Sequence, residues 1–340
     1  MITTMRINQV WKEIETTSGQ ANGLVFRRYS GSIIPDIFCS VRLPEKTKGF
    51  GLKIEVAKAP KTASFANLRD LKIENVPDPF DANKVLFLVQ LVNQQHTEVF
   101  SVLCEDLISR VAEMESVDEV LRILIQRLDK WKSLFESASG QGLTPDQQRG
   151  LFGELYFLRA WIENEGDANI SLLSWQGPAG NIRDFQIGEW ALEVKTTHGN
   201  NHQKVQISSE RQLDTSNLNY VFLYHLSLEE QLFSGETLNE IVDQVESLLL
   251  EKDASLSDFK MRLLQVGYFD QHRHLYDKKG YKIRACDVYH VKDQFPRIEE
   301  AELRRGVGDV KYSIVIADCV SYQVTQNELF QTINQKNGRT

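Results

Sequence analysis

The chain has 340 residues, 41 % of them hydrophobic and 25 % charged, enough for two or three ordinary globular cores. Lys and Arg number 39 against 47 Asp and Glu, a net charge of −8 that argues against a freestanding protein holding nucleic acid by bulk charge. No apolar run is long enough for a membrane span, MITTMRINQVWKEIE reads as a mature cytosolic N-terminus, and Cys39, Cys104, Cys286 and Cys319 are scattered without a CxxC pair, so a cytoplasmic protein without disulfides or a zinc site is expected.

Residues 22–104 read as β-rich. LVFRRY, DIFCSVRL, GFGLKIEVAK, VLFLVQLV and TEVFSVLC are short branched and aromatic runs separated by polar turns. Residues 116–137 then read as a long amphipathic helix, with Val117, Leu121, Leu124, Leu128, Trp131 and Phe135 on its apolar side. SASGQG ends it. This pattern predicts an N-terminal β-rich domain over 1–105 and a connecting helix with linker over 106–142.

A second helix starts at Thr144-Pro145-Asp146-Gln147, where threonine is the N-cap, proline takes the first turn and glutamine completes a capping box. Its core stripe is Leu151, Leu155, Leu158 and Ile162, and Glu154 projects from that same stripe. A lone carboxylate there must be paired, protonated or coordinating. Gly150 and Gly153, one turn apart, would let the helix approach a neighbouring backbone closely.

After a short run, ISLLSW, the stretch NIRDFQIGEWALEVKTT places charges inside two apolar strands. Gly188-Glu189 suits a two-residue hairpin loop with glycine first. Counting outward, Ile187 faces Trp190, Phe185 faces Leu192 and Asp184 faces Glu193. The two carboxylates then meet across the strands, roughly 5 Å apart at Cβ. Their repulsion needs an offset, and a hard divalent cation taking carboxylate oxygens provides one. Lys195, about 7 Å further along the same face, would sit close to a metal-bound water. The competing reading is a solvated face on which Lys195 is an ordinary surface charge.

A polar loop follows, THGNNHQK, then VQISSERQLD, whose Ser209 and Gln212 could cap a short helix, then YVFLYHLSL, which alternates like a central strand. His198 and His202 lie four apart, but Gly199-Asn200-Asn201 argues for a turn and against a shared metal. His198, Lys204, Gln206, which alternates in phase with Lys204, and Arg211 are second-rank candidates for phosphate or DNA contacts. Beyond residue 228, TLNEIVDQVESLLLEK and SDFKMRLLQVGYF read as helices, KIRACDVYHV and VKYSIVIADCV as strands, and Gly306-Val307-Gly308-Asp309 as a turn. Arg27-Arg28, Lys278-Lys279 with Lys282 and Arg284, and Arg304-Arg305 are basic surfaces read as solvated before being read as DNA contacts.

The order helix, three strands, helix, strand, with Glu154, Asp184 and Glu193-x-Lys195 in those places, resembles the PD-(D/E)XK nuclease superfamily over residues 144–228. GLFGELYFL, DF, LEVKTT and QIS…QL are most similar to a group of PD-(D/E)XK proteins found beside bacterial restriction-modification and phage-defence genes. Arg183 stands where that superfamily often has proline before the aspartate. The resemblance implies an α+β or α/β, restriction-endonuclease-like core over 143–230: a helix, a three-strand meander, a helix and a strand in a mixed sheet, with a C-terminal α/β extension over 231–340. It further implies a DNA endonuclease using Mg²⁺, with Mn²⁺ able to substitute. Asp184, Glu193, the Val194 carbonyl and Glu154 would be metal ligands, and Lys195 would orient or deprotonate the attacking water. Partner proteins of a restriction or defence system, and a homodimer, are further expectations. A silent binding subunit on the same scaffold is the alternative.

Overall fold

Thirteen strands and eight α-helices are present among the residues described by the computed structural model, which are 6–18, 22–65, 70–138, 140–164, 167–199, 204–252 and 254–337. His202 lies outside them. The chain divides into two units, residues 1–141 with 269–271, and 142–268 with 272–340.

In the first unit, helix α1 (Arg6–Thr17) precedes strands β1 (Gly23–Arg28), β2 (Ile37–Leu43), β3 (Thr47–Glu55), β4 (Leu71–Pro77) and β5 (Lys84–Leu91). These form an antiparallel sheet in the order β1-β2-β3-β5-β4. Helices α2 (Thr97–Val111) and α3 (Val117–Ala138) follow. Aromatic side chains knit the layers: Trp11 stacks on Phe100 at 5.7 Å between centroids, and Phe50 lies 6.0 Å from Trp131.

Two expectations need correcting here. TEVFSVLC is helical, because α2 is buried almost all round, from Val99 to Leu103 without a gap. A continuous apolar run of that kind does not distinguish a buried strand from a buried helix. The helix expected as a tether also belongs to this unit, its Leu124, Leu128, Trp131 and Phe135 all buried. Strand β4 and helix α1 went unread in the sequence.

In the second unit the elements are α4 (Pro145–Glu163), α5 (Ala168–Ser174), β6 (Phe185–Ile187), β7 (Trp190–His198), β8 (Lys204–Ile207), β9 (Tyr220–Leu232), β10 (Glu236–Thr237), α6 (Leu238–Glu251), α7 (Leu256–Gln265), β11 (Lys279–His290), β12 (Tyr312–Val315), β13 (Gln323–Val324) and α8 (Gln326–Asn337). The main sheet runs β10-β11-β9-β7-β6, with β13 also on β11. Among the described residues only β7 and β9 pair in parallel, so the fold is α+β with one mixed and one antiparallel large sheet. In the part of the chain expected as a C-terminal extension of the core, β11 lies beside β9, and Val242, Phe259, Val288 and Phe330 share one core with Leu155 and Leu192.

Each face of this sheet has its own core, as side-chain alternation requires. Trp190, Leu192 and Val194 face the core made with α4, α6, α7 and α8. Val221 and Leu223 face a smaller core with Val205, Ile207, Tyr289 and Ile314.

Among the described residues the expected three-strand meander is not formed. Only β6 and β7 make the antiparallel pair, while β8 pairs with β12 in a separate two-stranded sheet. Residues Ile170–Ser174 of ISLLSW are helical because Asp167 caps α5, accepting from the backbone N–H groups of Asn169 and Ile170. The helix expected after Ser209 is a single 3₁₀ turn, Glu210–Gln212, capped by the Ser209 hydroxyl.

Candidate metal centre

The site begins with the start of α4. Thr144 Oγ1 accepts from Gln147 N at 3.3 Å, and Gln147 Oε1 accepts from Thr144 N at 2.9 Å, the reciprocal capping box legible in the sequence. Leu151, Leu155, Leu158 and Ile162 are buried as their spacing requires. Gly153 makes the close approach: a Cβ there would lie 2.5 Å from Thr196 Cγ2 and 3.2 Å from Val194 Cγ1 of β7. Gly150 faces open space and has no such role. Directly after Gly153, Glu154 Oε2 accepts the indole N–H of Trp175 at 2.6 Å.

The hairpin follows the counted register: Phe185 pairs with Leu192 and Ile187 with Trp190, across a loop in which Gly188 has φ +56°. Only glycine adopts that φ at little cost. Asp184 stands one residue before β6. Its carbonyl accepts from Gln176 N at 2.7 Å and Gly177 N at 3.0 Å, and its Oδ2 accepts from Val194 N at 2.8 Å. Glu193, on β7, is 1 % exposed. The ammonium of Lys195 lies 2.6 Å from Glu193 Oε1, whereas Glu193 Oε2 is buried and accepts no hydrogen bond of ordinary geometry. A solvated carboxylate face is therefore excluded.

Burial, with repulsion from Asp184, pushes the Glu193 carboxyl up to about 8, although Lys195 draws it back. Burial likewise raises Glu154, reinforced by the charge of Asp184. It raises Asp184 too, against the pull of Lys195 and the Val194 N–H. Burial alone would lower Lys195, but Glu193, Asp184 and Glu154 outweigh it and hold the ammonium protonated. Three carboxyls with raised affinities for protons share a single ammonium.

This donor set fits a hard cation: carboxylate oxygens, one of them buried without a hydrogen bond of ordinary geometry, gathered where charge is costly. Among the described residues no three His, Cys, Asp or Glu side chains are close enough to constitute a metal-binding group as they stand. Lys195 is the partner of Glu193 Oε1, and Trp175 and the Val194 N–H hold Glu154 Oε2 and Asp184 Oδ2. At the site Val194 contributes its N–H, and the metal-ligand role expected for its carbonyl stays an expectation.

The outer candidates lie apart from this cluster in character. His198, Lys204, Gln206 and Arg211 are all exposed. Lys204 and Gln206 share the solvent face of β8, opposite Val205 and Ile207. Ser313 Oγ donates to Gln206 Oε1 at 3.0 Å, and Arg211 lies 3.8 Å from Glu300.

Sequence reasoning missed three contributors. Trp175 holds Glu154, Gly177 borders two carboxylates, and Arg183 is a clamp. Its Nε donates to Gln212 O at 3.0 Å and its Nη2 to Asp214 O at 2.5 Å, tying the segment after β8 to the residue before Asp184. Arg183 reads in the sequence only as a charge standing where proline is often found, and its clamping role is not legible there. The other two gave no signal, because their contacts are non-local.

A family model described as "Putative PD-(D/E)XK family member, (DUF4420)" matches residues 7–317. No curated protein and no solved structure matches the chain.

Proposed function

The chain belongs to that PD-(D/E)XK family, and from this membership and the cluster of Glu154, Asp184, Glu193 and Lys195 we propose that it is a metal-dependent endonuclease hydrolysing DNA phosphodiester bonds. The observation that carries the reading is the Glu193–Lys195 pair, buried and one residue either side of the amide that holds Asp184. A surface protein has no reason to bury three carboxyls around one lysine.

Asp184, Glu193 and Glu154 would hold Mg²⁺, or Mn²⁺ in its place. Such an ion, when bound, supplies Lewis-acid polarisation and lowers the pKa of a coordinated water. The protein's own residues do the rest. Lys195, held protonated by its acidic neighbours, would orient the attacking water or stabilise charge developing on the phosphate. Trp175 and the Val194 amide fix two carboxylates, so little reorganisation remains for the moment of reaction. The carboxylates also repel a phosphate until a cation neutralises them, so substrate follows metal.

The net charge of −8 favours weak binding of DNA by this chain alone. We therefore propose that it works with partner proteins, and the resemblance of GLFGELYFL and LEVKTT to proteins found beside restriction-modification and phage-defence genes supports a bacterial, cytoplasmic restriction or phage-defence system as the setting. The alternative is a silent DNA- or protein-binding subunit, against which the filled positions Glu154, Asp184, Glu193 and Lys195 argue. One experiment separates them: cleavage of plasmid and linear DNA by wild type and Lys195→Ala with Mg²⁺, Mn²⁺ or EDTA. Metal-dependent nicking lost in the variant supports the nuclease. Metal binding without cutting, in the presence of partners and of varied DNA, favours the silent subunit.

A further inference from the structure

We propose that the segment Trp175-Gln176-Gly177 is the positioning element of the metal centre, fixing where Glu154 and Asp184 present their free oxygens. The proposal rests on the metal reading above and adds to it a third stretch of chain, besides α4 and the β6–β7 hairpin.

All three residues of the segment touch the acidic cluster. Trp175 donates its indole N–H to Glu154 Oε2 at 2.6 Å. The backbone N–H groups of Gln176 and Gly177 both donate to the carbonyl of Asp184, at 2.7 and 3.0 Å. Gly177 lies against both side chains. A Cβ on it would stand 2.9 Å from Glu154 Oε2 and 3.2 Å from Asp184 Oδ1. Two carboxylate oxygens from different elements therefore converge on one glycine, and any side chain there would fill the space they share. Gly177 has no positive φ, so space, and not backbone conformation, is what demands glycine.

The segment is itself anchored from outside the cluster. Trp175 is fully buried, its backbone bridges to Phe185, and its ring lies 5.8 Å from that of Phe259. Arg262 of α7 donates to the Trp175 carbonyl. A rigid indole is thus the fixed end of the Glu154 hydrogen bond. With Oε2 held by Trp175 and Oδ2 of Asp184 held by the Val194 amide, Glu154 Oε1 and Asp184 Oδ1 are the oxygens left for a cation. Second partners of this kind orient metal ligands and tune their affinity.

The consequence differs from that of a core defect. The atom nearest a new methyl at 177 is the end of a flexible side chain, which moves aside without disturbing the fold. Gly177→Ala should displace the Glu154 carboxylate from Trp175 and leave the metal-free protein folded. Trp175→Phe removes only the indole donor and keeps an aromatic ring in the core.

The test is calorimetric titration of full-length protein with Mn²⁺, alongside melting of the metal-free forms, for wild type, Trp175→Phe, Gly177→Ala and Gly150→Ala. Gly150 lies on α4 like Glu154 but faces open space, and serves as control. The expected result is a 10- to 100-fold weaker Mn²⁺ affinity in the first two variants, with metal-free melting close to wild type and Gly150→Ala binding normally. If wild type binds Mn²⁺ and both variants bind it equally well, the positioning role is overturned while the metal reading stands. If wild type itself binds no Mn²⁺, both fall together. Should Gly177→Ala fail to fold, Trp175→Phe decides alone.

Discussion

The Val194 amide donates to Asp184 Oδ2 at 2.8 Å, so the backbone between Glu193 and Lys195 is itself a partner of the third charged residue. The two strands of the hairpin are thereby locked at their charged end, beyond the last ladder pair of Phe185 and Leu192. This bond needs only an oxygen acceptor, whereas a cation needs the negative charge. Asp184→Asn separates the two, since the amide oxygen still accepts from Val194. Metal should raise the melting temperature of wild type, by about 2.7 kcal/mol of stability at a concentration 100 times Kd. That corresponds to roughly 5–10 °C for a unit of this size. Asp184→Asn should melt like metal-free wild type and show no such rise. A rise of equal size in the variant would remove Asp184 from the ligand set.

The raised Glu193 carboxyl makes stability depend on pH in an unusual direction. Its folded value of about 8 exceeds the unfolded value of about 4.3. Between those values the native state binds more protons than the unfolded chain, so stability falls as pH rises across the window. Glu154 and Asp184, also raised, act with the same sign. Glu230 and Asp214 are lowered and lose their contribution only as pH falls into the acid range. Urea unfolding of metal-free protein should therefore show wild type losing on the order of a few kcal/mol between pH 5 and 9 relative to Glu193→Gln. Parallel profiles for the two proteins would contradict the raised carboxyl.

How far the sequence was legible follows from which interactions are local. The hairpin register came from Gly188 and strict alternation, both contained in ten residues. The capping box of α4 came from Thr144 and Gln147, three apart. ISLLSW resisted because its helix depends on a cap at Asp167, just outside the run. TEVFSVLC resisted because burial on all sides erases periodicity. The faces of β8 were readable from Val205 and Ile207, but its partner, β12, lies about a hundred residues on. Periodicity says which side of a strand is buried and nothing of what pairs with it. The same limit hid Trp175. Its buried ring reads as ordinary core, and only the fold brings its N–H to Glu154.

Helix α3 should prove an integral part of the first unit. Trp131 is 1 % exposed and lies 6.0 Å from Phe50 and 6.4 Å from Phe100, between sheet and helix α2. Trp131→Ala should cost about 3–5 kcal/mol, the usual range for emptying an aromatic site in a core. Trp131→Phe should cost much less, because the indole nitrogen makes no hydrogen bond that would be lost. Denaturant unfolding followed by circular dichroism measures both. A free tether would show near-zero cost for either substitution.

Gly153 and Gly150 offer a paired test of how α4 meets the sheet. Both are helical, and replacing an interior helical glycine by alanine gains about 0.5–1 kcal/mol when nothing intervenes. At Gly150 nothing does, so Gly150→Ala should stabilise by that amount. At Gly153 the new methyl would stand 2.5 Å from Thr196 Cγ2, a separation van der Waals contact forbids. Thr196 is β-branched and lies within β7, so it has few rotamers into which to retreat. The helix must move off the strand instead, at a cost of about 1–3 kcal/mol typical of overpacking. Glu154, the next residue, moves with it, and its distance from Trp175 and Asp184 changes. Gly153→Ala should therefore lose both stability and metal affinity, whereas Gly150→Ala gains stability and keeps affinity. Opposite signs in the two metal-free melting curves, together with Mn²⁺ affinity lost only in Gly153→Ala, would support contact between α4 and β7 as what sets the position of the acidic cluster, and equal Mn²⁺ affinity in the two variants would contradict it.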